Sequence, residues 1–447
     1  MSKKPRVRVV VVNYDGGELT ISCLQSLFEG EWPADKLDVV LVDNGSIDGV
    51  ARSAKKRFPR LTVLEPLENL GFGGGSNLGI KAPGEYDYVA LLNPDAEASP
   101  QWLNPLVEAL ETDQTLGAAS PKMVFAAQCR PVNITVPNAG RLSKVDARDL
   151  GVRLVEAEVT INGEVREGEL RYGQGWYGME TPSGDEVFAT WSGKEAVLMV
   201  SGEGKAQLRL RLSHPKTTEV ILETSDETMA INIGPGSKWV TLELPAKNVD
   251  VIQNAGSELH VGGHGGDRGF RQLDRGQFDE AMEVFSWCGG AVLLRPEYLN
   301  DVGMFDAPFF LYYEDLDLAW RGQRRGWEYF YVPAAVVRHH HAQSTGEWSP
   351  LFRFHVERNR LLTLVKNAPF ACVIKEIGRA HIRLLRSLGR DLVLPILRLK
   401  APQMGEPRQI IQFLLSFWRL FPSMLWFRCS DRPEQKRKYI YKKAVMQ

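Results

Sequence analysis

The segment Val7-Arg8-Val9-Val10-Val11-Val12 is followed by the polar pair Asn13-Tyr14 and then by Gly16-Gly17. A near-continuous run of β-branched residues is typical of a parallel strand that is buried on both faces. The next residues, 21–28, carry apolar side chains at helical spacing. Because a strand followed by a helix is the repeating unit of α/β domains, this stretch predicts a mostly parallel sheet with flanking helices.

The same strand and helix pattern recurs downstream. The apolar run 37–42 ends at Asp43-Asn44-Gly45-Ser46, and the run 88–92 ends at Asn93-Pro94-Asp95. Between them, a short strand leads into a glycine-rich stretch at 68–77. Open parallel sheets bind ligands at the carboxyl ends of their strands, which is where these polar residues gather. The sequence therefore predicts a ligand site at this edge of the sheet.

Each of these strand ends has a ligand interpretation and a local one. Asp43 can accept hydrogen bonds from a nucleobase or a ribose, and the glycine run can bring backbone N–H groups close to phosphates. Asp95 can hold a divalent cation beside a diphosphate. The alternatives are a turn at Asp43 and a helix N-cap at Asp95. The coincidence of three polar ends favours a ligand, and the local alternatives stay open for each residue.

A second polar group follows the aromatic run Phe309-Phe310-Leu311-Tyr312-Tyr313. It consists of Glu314, Asp315 and Asp317, three carboxylates within four residues. If the run is buried, desolvation and mutual repulsion raise the pKa of a carboxylate, which suits a general base that works near neutral pH. The other interpretation is an acidic first helical turn, since acids favour helix N-termini. Both interpretations stay open, because the same residues can fill both roles.

Composition sets broad limits on function. The chain has 447 residues, 44% of them hydrophobic and 24% charged, with a formal net charge of -1. This is ordinary globular composition with room for two or three domains, and the charge argues against wholesale nucleic-acid binding. The five cysteines form neither a metal-binding pattern nor a disulfide framework, which favours a reducing compartment.

The pattern changes between about residues 155 and 251. Hydrophobic residues alternate with polar ones there, as at Leu208, Leu210 and Leu212. Such alternation predicts a small antiparallel β-sandwich. The flanks Asn138-Ala139-Gly140 and Asn254-Ala255-Gly256 read alike. The sandwich is therefore predicted to interrupt one loop of the α/β domain.

The polar strand ends resemble the motifs of glycosyltransferase family 2, and most closely those of its rhamnosyltransferase-like bacterial members. The resemblance rests on Asn13-Tyr14, Val42-Asp43-Asn44-Gly45-Ser46, Asn69-Leu70-Gly71-Phe72 with Asn77, and Leu91-Leu92-Asn93-Pro94-Asp95. Downstream, the acidic stretch resembles the family's acceptor-side motif, and Val336-Val337-Arg338-His339 resembles its histidine motif. The resemblance as a whole covers about residues 1–130 and 265–365. Asn93 stands where many relatives carry an aspartate, so the metal motif has a single acid.

The resemblance implies an inverting enzyme with the GT-A nucleotide-diphospho-sugar transferase fold. Asp315 would be the catalytic base, and Asp95 with His339 would hold Mg²⁺ or Mn²⁺. The implied acceptor-side support is Glu314, Asp317, Trp287, Gly289 and Gly290. The implied nucleotide-sugar site comprises Asn13, Tyr14, Asp43, Asn44, Asn69, Gly71, Phe72, Asn77 and Asn93. The implied donor is dTDP-rhamnose or a UDP-sugar, and the implied acceptor is a growing cell-surface glycan or a lipid-linked glycan.

Two alternative functions remain at the level of sequence. A processive polysaccharide synthase of the same family would have several transmembrane helices and a Gln-x-x-Arg-Trp motif. Here Gln323-Arg324-Arg325-Gly326-Trp327 has glycine before the tryptophan. A non-catalytic glycan-binding or scaffold protein would carry a degenerate transferase domain. The presence of Asp43, Asp95, Asp315 and His339 argues against it.

Four segments are predicted: a first catalytic part at 1–140, an all-β insert at 141–253, a second catalytic part at 254–350, and a helical C-terminal region at 351–447. The insert is expected to supply no catalytic group and to orient a long glycan acceptor or mediate assembly. Its aromatic residues can form a sugar-stacking platform or belong to its core, and the core is favoured. These residues are Trp176, Tyr177, Trp191 and Trp239.

The C-terminal region contains a strongly apolar run at 410–427, interrupted by Gln412, Arg419 and Pro422. The run approaches the length of a membrane span. Its breaks, and the positive charges that follow, favour a helix lying on an anionic membrane over a spanning or a buried helix. We therefore expect a cytoplasmic protein with peripheral contact to the inner face of the plasma membrane, and homodimerisation is a further expectation.

Overall fold

The structure is a computed structural model that describes residues 4–144, 146–180, 187–340, 349–431 and 437–446, the side chain of Met446 excepted. His341, which follows the predicted ligand His339, lies outside the described residues. The chain divides into two compact units. The first comprises Met1–Val124, Asn254–Arg268 and Phe278–Gln447, and the second comprises Phe125–Gln253 and Gly269–Gln277.

Eleven α-helices occur in the described residues. They are α1 (Gly17–Phe28), α2 (Val50–Arg57), α3 (Gly71–Ile80), α4 (Leu103–Thr112), α5 (Pro296–Val302), α6 (Glu314–Gln323), α7 (Pro350–Asn367), α8 (Phe370–Leu388), α9 (Leu394–Leu397), α10 (Gly405–Ser430) and α11 (Arg437–Met446). A 3-10 turn at Ala307–Phe309 precedes α6, and a π-helical turn at Gly389–Val393 joins α8 to α9.

The strands fall into two series. Those before the second unit are β1 (Val7–Asn13), β2 (Leu37–Asp43), β3 (Thr62–Leu64), β4 (Tyr88–Leu92), β5 (Ala96–Ala98) and β6 (Leu116–Phe125). The strands that follow are β7 (Arg130–Thr135), β8 (Arg153–Ile161), β9 (Glu164–Val165), β10 (Leu170–Tyr172), β11 (Thr190–Trp191), β12 (Glu195–Val200), β13 (Ala206–Ser213), β14 (Thr218–Glu223), β15 (Thr228–Ile233), β16 (Ser237–Leu244), β17 (Ile252–Asn254), β18 (Ser257–His260), β19 (His264–Asp267), β20 (Met282–Val284), β21 (Ala291–Leu294) and β22 (Glu328–His339).

The first unit is built on a mixed sheet with the strand order β20-β22-β6-β21-β4-β1-β2-β3. Strand β1 pairs in parallel with β2 and with β4, and β2 pairs in parallel with β3. Strand β21 pairs antiparallel with β4, and β22 pairs antiparallel with β5 and β20. The predicted GT-A type of α/β fold is confirmed, with its parallel strands on one half of the sheet. The carboxyl ends of β1, β2 and β4 lie at one edge, which positions the site.

The second unit consists of two antiparallel sheets, β10-β12-β7-β14-β15 and β11-β8-β13-β16. The inward residues form one hydrophobic core, which includes the alternating leucines at 208, 210 and 212. Trp191 is buried and Trp176 packs against the same core, whereas Trp239 is 39% exposed. The Trp239 ring lies under Arg209, 4.8 Å from its guanidinium carbon. Two of these tryptophans therefore have structural roles in the sandwich.

The limits of the second unit differ from the predicted insert at 141–253. The unit begins at Phe125, and β7 lies between β12 and β14 within its sheet. Residues Gly269–Gln277 also belong to it. The chain runs from β6 into β7 with a short connection, so no change of composition marks this boundary in the sequence.

The glycine-rich stretch 262–269 contributes to a β-hairpin of β18 and β19. The turn of the hairpin is held at Gly262. Its N–H donates to the Tyr441 hydroxyl at 3.0 Å, and its carbonyl accepts from Arg360 Nη1 at 2.7 Å. These contacts attach the hairpin to α7 and α11.

Helices α7, α8, α10 and α11 share a hydrophobic core in which Leu362, Phe413 and Phe417 are almost fully buried. Within the described residues, α10 alone combines the length and the mean hydropathy, 1.3 over its most apolar 18 residues, of a membrane-crossing helix. Of that window, 28% is buried inside the structure. Helix α10 therefore has one face in the helical core and another outside it.

Candidate active site

Asn13 and Asp43 end the neighbouring parallel strands β1 and β2 and are cross-strand partners. Asn13 Nδ2 donates to Asp43 Oδ1 at 2.9 Å and to Ser46 Oγ at 3.0 Å. Its Oδ1 accepts from the Thr20 hydroxyl at 2.7 Å. The buried Asn13 amide is thus engaged by the protein and fixes the Asp43 carboxylate at the edge of the sheet. Tyr14, the next residue, is 48% exposed at this edge.

The predicted glycine run is joined to β2 by asparagine side chains. Asn44 Nδ2 donates to Asn69 Oδ1 at 2.9 Å and to the Gly71 carbonyl at 3.1 Å, and Asn44 Oδ1 accepts from Leu70 N at 2.9 Å. Asn69 Oδ1 also accepts from Gly71 N at 2.8 Å. The start of α3 is therefore pinned beside the end of β2.

Gly71 and Phe72 connect this donor-side network to the acidic stretch. Gly71 has a φ of +72°, and a Cβ there would lie 2.2 Å from the Phe310 carbonyl oxygen, so no larger residue fits. Phe72 N donates to the same oxygen at 2.7 Å. Asn77 has a structural role nearby, since its side chain donates to the Phe305 carbonyl at 2.9 Å and accepts from Phe305 N at 3.1 Å.

Asp95, His339 and Asn93 meet at the carboxyl end of β4. His339 Nε2 lies 2.9 Å from Asp95 Oδ1 and 3.2 Å from Asn93 Nδ2. Burial raises the pKa of Asp95, but the hydrogen bond and the charge of His339, with smaller contributions from the Asp95 backbone and His340, together hold the pKa below its ordinary value. A carboxylate oxygen and a ring nitrogen at this separation need a proton or a cation between them.

These residues fit a divalent cation as two of its ligands. An ionised carboxylate and an imidazole nitrogen are both suitable donors. Among the described residues, no group of three or more His, Cys, Asp and Glu side chains could hold a metal ion. The remaining ligands would come from a diphosphate and water, so Asp95 and His339 are candidates for a shared site rather than a complete one.

The segment 287–290 links the metal candidates to the acidic stretch. Asn93 N donates to the Gly290 carbonyl at 2.8 Å, and Gly289 N donates to Asp315 Oδ2 at 2.9 Å. A Cβ on Gly289 would lie 3.1 Å from the Phe72 ring and 3.4 Å from the Asp315 carboxylate. Trp287 is fully buried and packs edge-on against Phe305. The two glycines therefore join the metal candidates to the acidic stretch in close packing, where a Cβ on Gly290 would lie only 2.9 Å from Met123.

Asp315 lies in the first turn of α6 and is half-buried. Its Oδ2 accepts the Gly289 N–H, and its Oδ1 accepts the Leu316 N–H at 2.7 Å. Burial raises the pKa of Asp315, and these backbone donors only partly oppose that rise. Each oxygen retains a lone pair, so the carboxylate can still accept a proton from a bound hydroxyl group.

Glu314 precedes Asp315 and is buried, with 5% of its surface exposed. Its Oε2 has no hydrogen-bond partner among the described residues. Burial, followed by repulsion from Asp315, raises the pKa of Glu314 well above its ordinary value. The two carboxyl groups interact, so they titrate as a pair.

Asp317 has a different environment one half-turn further along α6. Its Oδ2 accepts from Lys366 Nζ at 2.6 Å and from Arg321 Nε at 2.9 Å, and its Oδ1 accepts from Asn367 Nδ2 at 2.9 Å. Burial alone would raise the pKa of Asp317, but Lys366 and Arg321 hold it below its ordinary value. Both oxygens of Asp317 therefore accept hydrogen bonds from the protein, and the residue is a structural anchor for α6.

The arginines of α6 are engaged by the protein. Arg321 binds Asp317, and the fully buried Arg324 binds Asp431 at 2.5 Å. Arg325 pairs with Asp301 at 3.0 Å. Each of the three arginines therefore has a carboxylate partner within the protein.

Sequence reasoning missed the role of α7. Asn359 Nδ2 donates to the carbonyls of Phe309, Leu311 and Tyr312 at 2.7–2.9 Å. Arg358 Nη2 also donates to the Phe309 carbonyl, at 2.7 Å. The loop needs this support because Phe310, Tyr312 and Tyr313 all have positive φ values, between 65° and 70°. The available sequence signal was the polar trio at 358–360 inside an apolar helix.

Comparisons with known proteins agree with this geometry. Residues 8–126 match the sequence profile of the family described as Glycosyl transferase family 2. The chain is 24% identical over 350 residues to the N-acetylglucosaminyl-diphospho-decaprenol L-rhamnosyltransferase of Mycobacterium tuberculosis, covering 76% of this chain and 77% of that protein. It is 31% identical over 105 residues to Glycosyltransferase AglE of Haloferax volcanii, covering 23% and 34% of the two chains.

Among solved structures, the chain is similar to GalNAc-T7 with UDP, GalNAc and Mn²⁺, with a TM-score of 0.47 and 12% identity. That match covers 97% of this chain and 59% of the other. The chain is also similar to the mannosyltransferase PcManGT from Pyrobaculum calidifontis in complex with GDP-Man and Mn²⁺, with a TM-score of 0.40 and 14% identity. That match covers 96% of this chain and 85% of the other. The chain is therefore a glycosyltransferase, its residues 8–126 match the family 2 profile, and over 76% of its length it is similar to a rhamnosyltransferase.

Proposed function

We propose that the enzyme is an inverting transferase that moves rhamnose from a nucleotide-diphosphate donor to a hydroxyl group of a growing cell-surface or lipid-linked glycan. The observation that carries this proposal is the Gly289-Gly290 segment, which joins Asp315 to Asn93 by hydrogen bonds. Asp315 binds one side of it through Gly289 N, and Asn93 binds the other through the Gly290 carbonyl. A base on one side and a diphosphate site on the other are what a direct displacement at an anomeric carbon requires.

The donor side is assigned from the strand ends. Asp43, fixed by Asn13, accepts hydrogen bonds from the nucleoside, and Asp95 with His339 holds Mg²⁺ or Mn²⁺ at the diphosphate. When bound, the cation neutralises the negative charge that grows on the departing nucleotide. His339 and Asp95 are already within 2.9 Å, which supports their action as a pair.

The acceptor side is assigned to Asp315. Its carboxylate takes the proton of the acceptor hydroxyl group, whose oxygen attacks the anomeric carbon on the face opposite the leaving nucleotide. The raised pKa of Asp315 favours this transfer, since a stronger base is a better proton acceptor. Glu314, whose own pKa is raised by burial and by Asp315, lies beside the base, whereas Asp317 holds the helix in place.

The sugar and the acceptor are proposed from the mycobacterial relative, whose name gives L-rhamnose and a decaprenol-linked substrate. A UDP-sugar remains the competing donor. Peripheral attachment to the cytoplasmic face of the plasma membrane, and homodimerisation, belong to the same proposal. The second unit is proposed to orient a long glycan acceptor or to mediate assembly.

The test is a thermal-shift series with dTDP-rhamnose, UDP-glucose, UDP-N-acetylglucosamine and GDP-mannose, each with Mn²⁺ or with EDTA. A ligand that binds only the folded state raises Tm, so dTDP-rhamnose with Mn²⁺ should give the largest shift. Transfer to a lipid-linked acceptor should then yield a product with inverted anomeric configuration by NMR. A larger shift with another sugar would contradict the donor, and retained configuration would contradict the mechanism.

Metal dependence is tested in the same assay. EDTA should abolish transfer and Mn²⁺ should restore it, because two protein ligands give weak and exchangeable coordination. Asp95→Asn should raise the Mn²⁺ concentration needed for half-maximal activity, while Glu97→Gln, an exposed neighbour, should not. Full activity in EDTA would assign leaving-group stabilisation to the protein's basic residues.

A further inference from the structure

The C-terminal helices expose an unusual amount of hydrophobic surface. The described chain has 23 large hydrophobic residues that are exposed, and 12 of them lie between residues 370 and 430. They are Phe370, Ile374, Ile382, Leu385, Val393, Leu394, Ile396, Leu397, Leu399, Leu415, Trp418 and Trp426. Concentrated exposure of this kind marks an interaction surface, whereas single exposed apolar residues do not. We call these side chains the C-terminal surface.

The exposed side chains belong to packed helices, so their exposure is not a sign of missing structure. On α8, Val373 and Ala380 are buried in the helical core, and Phe370, Ile374 and Leu385 lie outside it. Helix α10 likewise buries one face and exposes Leu415, Trp418 and Trp426. The two helices are joined at the surface, where Trp418 Nε1 donates to His381 Nε2 at 3.3 Å.

The charge of this segment indicates what covers it. Residues 370–430 contain ten Lys and Arg against three Asp and Glu, a net charge of +7, although the whole chain carries -1. On α8, Lys375, Arg379, Arg383 and Arg386 recur at helical spacing beside the apolar face, and Arg390 continues the series in the π-helical turn. The stretch Ile396-Leu397-Arg398-Leu399-Lys400 is exposed throughout and mixes both types.

We propose that the C-terminal surface docks on an anionic lipid bilayer, with its hydrophobic residues in the interface and its Lys and Arg side chains at acidic headgroups. Amphipathic helices with basic residues beside an apolar face bind membranes in this way, and exposed tryptophans favour the interfacial depth. A second copy of the chain fits less well, because two surfaces of net charge +7 would repel each other. Because Phe413 and Phe417 of α10 are buried in the helical core, only the other face of this helix can enter the bilayer, so α10 lies along the membrane surface.

This surface differs from the one that the sequence favoured. The apolar run of α10 was the expected contact, and the structure adds α8, the π-helical turn and α9 to it. The proposal rests on the peripheral attachment in the proposed function and adds the residues and the lipid charge that would produce it, and it can be tested without any sugar transfer.

The experiment measures binding of the full chain to vesicles by flotation. We expect binding to an equal mixture of phosphatidylcholine and phosphatidylglycerol, little binding to phosphatidylcholine alone, and a decrease as salt is raised. Leu385→Asn with Leu397→Asn should weaken binding by about tenfold or more, since two leucines no longer enter the interface. Arg398→Gln with Lys400→Gln should weaken it by about tenfold, and only in the anionic mixture.

Matched controls lie in the other unit. Val165 at the end of β9 and Arg166, the next residue, are both exposed. The variants Val165→Asn and Arg166→Gln should therefore leave vesicle binding unchanged. The proposal is overturned if the unmodified chain does not bind vesicles of the anionic mixture, or if both paired variants bind them as well as the unmodified chain. It is also overturned if the chain is a dimer that Leu385→Asn with Leu397→Asn converts to a monomer. Circular dichroism checks folding, and should a variant unfold, the lipid and salt dependence of the unmodified chain still decides the outcome.

Discussion

Asp315 and Asp317 are two residues apart on α6, yet their surroundings give them opposite properties. Asp317 is fully buried among Lys366, Arg321 and Asn367, and its pKa is lowered. Asp315 meets only backbone N–H groups and the neighbouring Glu314, and its pKa is raised. The same acidic motif therefore supplies one anchor and one carboxylate that is suited to act as a base.

The difference shows how a helix N-terminus can be used twice. Successive acids on a helix point in different directions, so one can face the protein interior while another faces a cleft. The interior acid needs cationic partners, because an unpaired buried charge is costly. A carboxylate that faces a cleft is a stronger base without cationic partners, because a salt bridge would lower its pKa.

The largest effect is expected for Asp317→Asn. Removing this charge leaves Lys366 and Arg321 buried with less compensation, which should lower the free energy of unfolding by about 3–5 kcal/mol. Urea or thermal unfolding measures the loss. Asp306→Asn removes the other, more exposed partner of Lys366 and should cost much less. Equal losses in the two variants would show that Asp317 is not the main anchor.

The next effect separates the base from the anchor. Asp315→Asn should lower kcat by about 10² or more, the usual contribution of a general base, while donor binding and stability are retained. Single-turnover transfer and thermal shift with the donor measure the two properties. Glu314→Gln is the adjacent control and should keep most of the activity. Near-normal turnover in Asp315→Asn would move the role to a neighbouring carboxylate.

A smaller effect is expected at the support of the loop. Asn359→Ala removes the donor to three carbonyls and should lower stability by about 1–3 kcal/mol. It should also lower kcat, because the loop before Asp315 loses its fixed shape. Asn104→Ala, at an exposed hydrogen bond with Lys4, should change unfolding by less than about 0.5 kcal/mol. An unchanged kcat in Asn359→Ala would show that the loop holds its shape without α7.

The smallest effect is a difference in pH response. The raised pKa of Asp315 means that activity should be lost as pH falls through a value above the ordinary 3.8. The lowered pKa of Asp317 means that its stabilisation is fully present above 3.8 and is lost only as pH falls below that value. Transfer should therefore decline at a pH where circular dichroism is still native. Loss of activity and fold together would contradict this order.

The donor side of the site was predictable because each residue follows its own strand. Asn13, Asp43 and Asn93 come directly after apolar runs, and the parallel arrangement brings the ends of β1, β2 and β4 together. The pairing of Asn13 with Asp43 follows from the register of two adjacent strands. Local sequence and one rule of topology were sufficient there.

The acceptor side was less predictable because its support is distant in sequence. Lys366 and Asn367 reach Asp317 across 49 and 50 residues, and no local pattern identifies such partners. The local residue pattern could not distinguish Asp315 from Asp317 for that reason, and only the family resemblance singled out Asp315. The start of the second unit at Phe125 was hidden for a different reason, since only a short connection separates β6 from β7.

The distance between the acidic loop and its support has a consequence for synthesis. Domains fold as the chain emerges from the ribosome, from the N-terminus onward. The Asn13, Asp43 and Asn69 network can form while later segments are still being translated. The left-handed residues 310, 312 and 313 cannot be secured until Asn359 has emerged. Each nascent chain therefore passes through a stage in which the edge that holds Asn13 and Asp43 is assembled and Asp315 is not yet in position. The complete site can form only after α7 has been made.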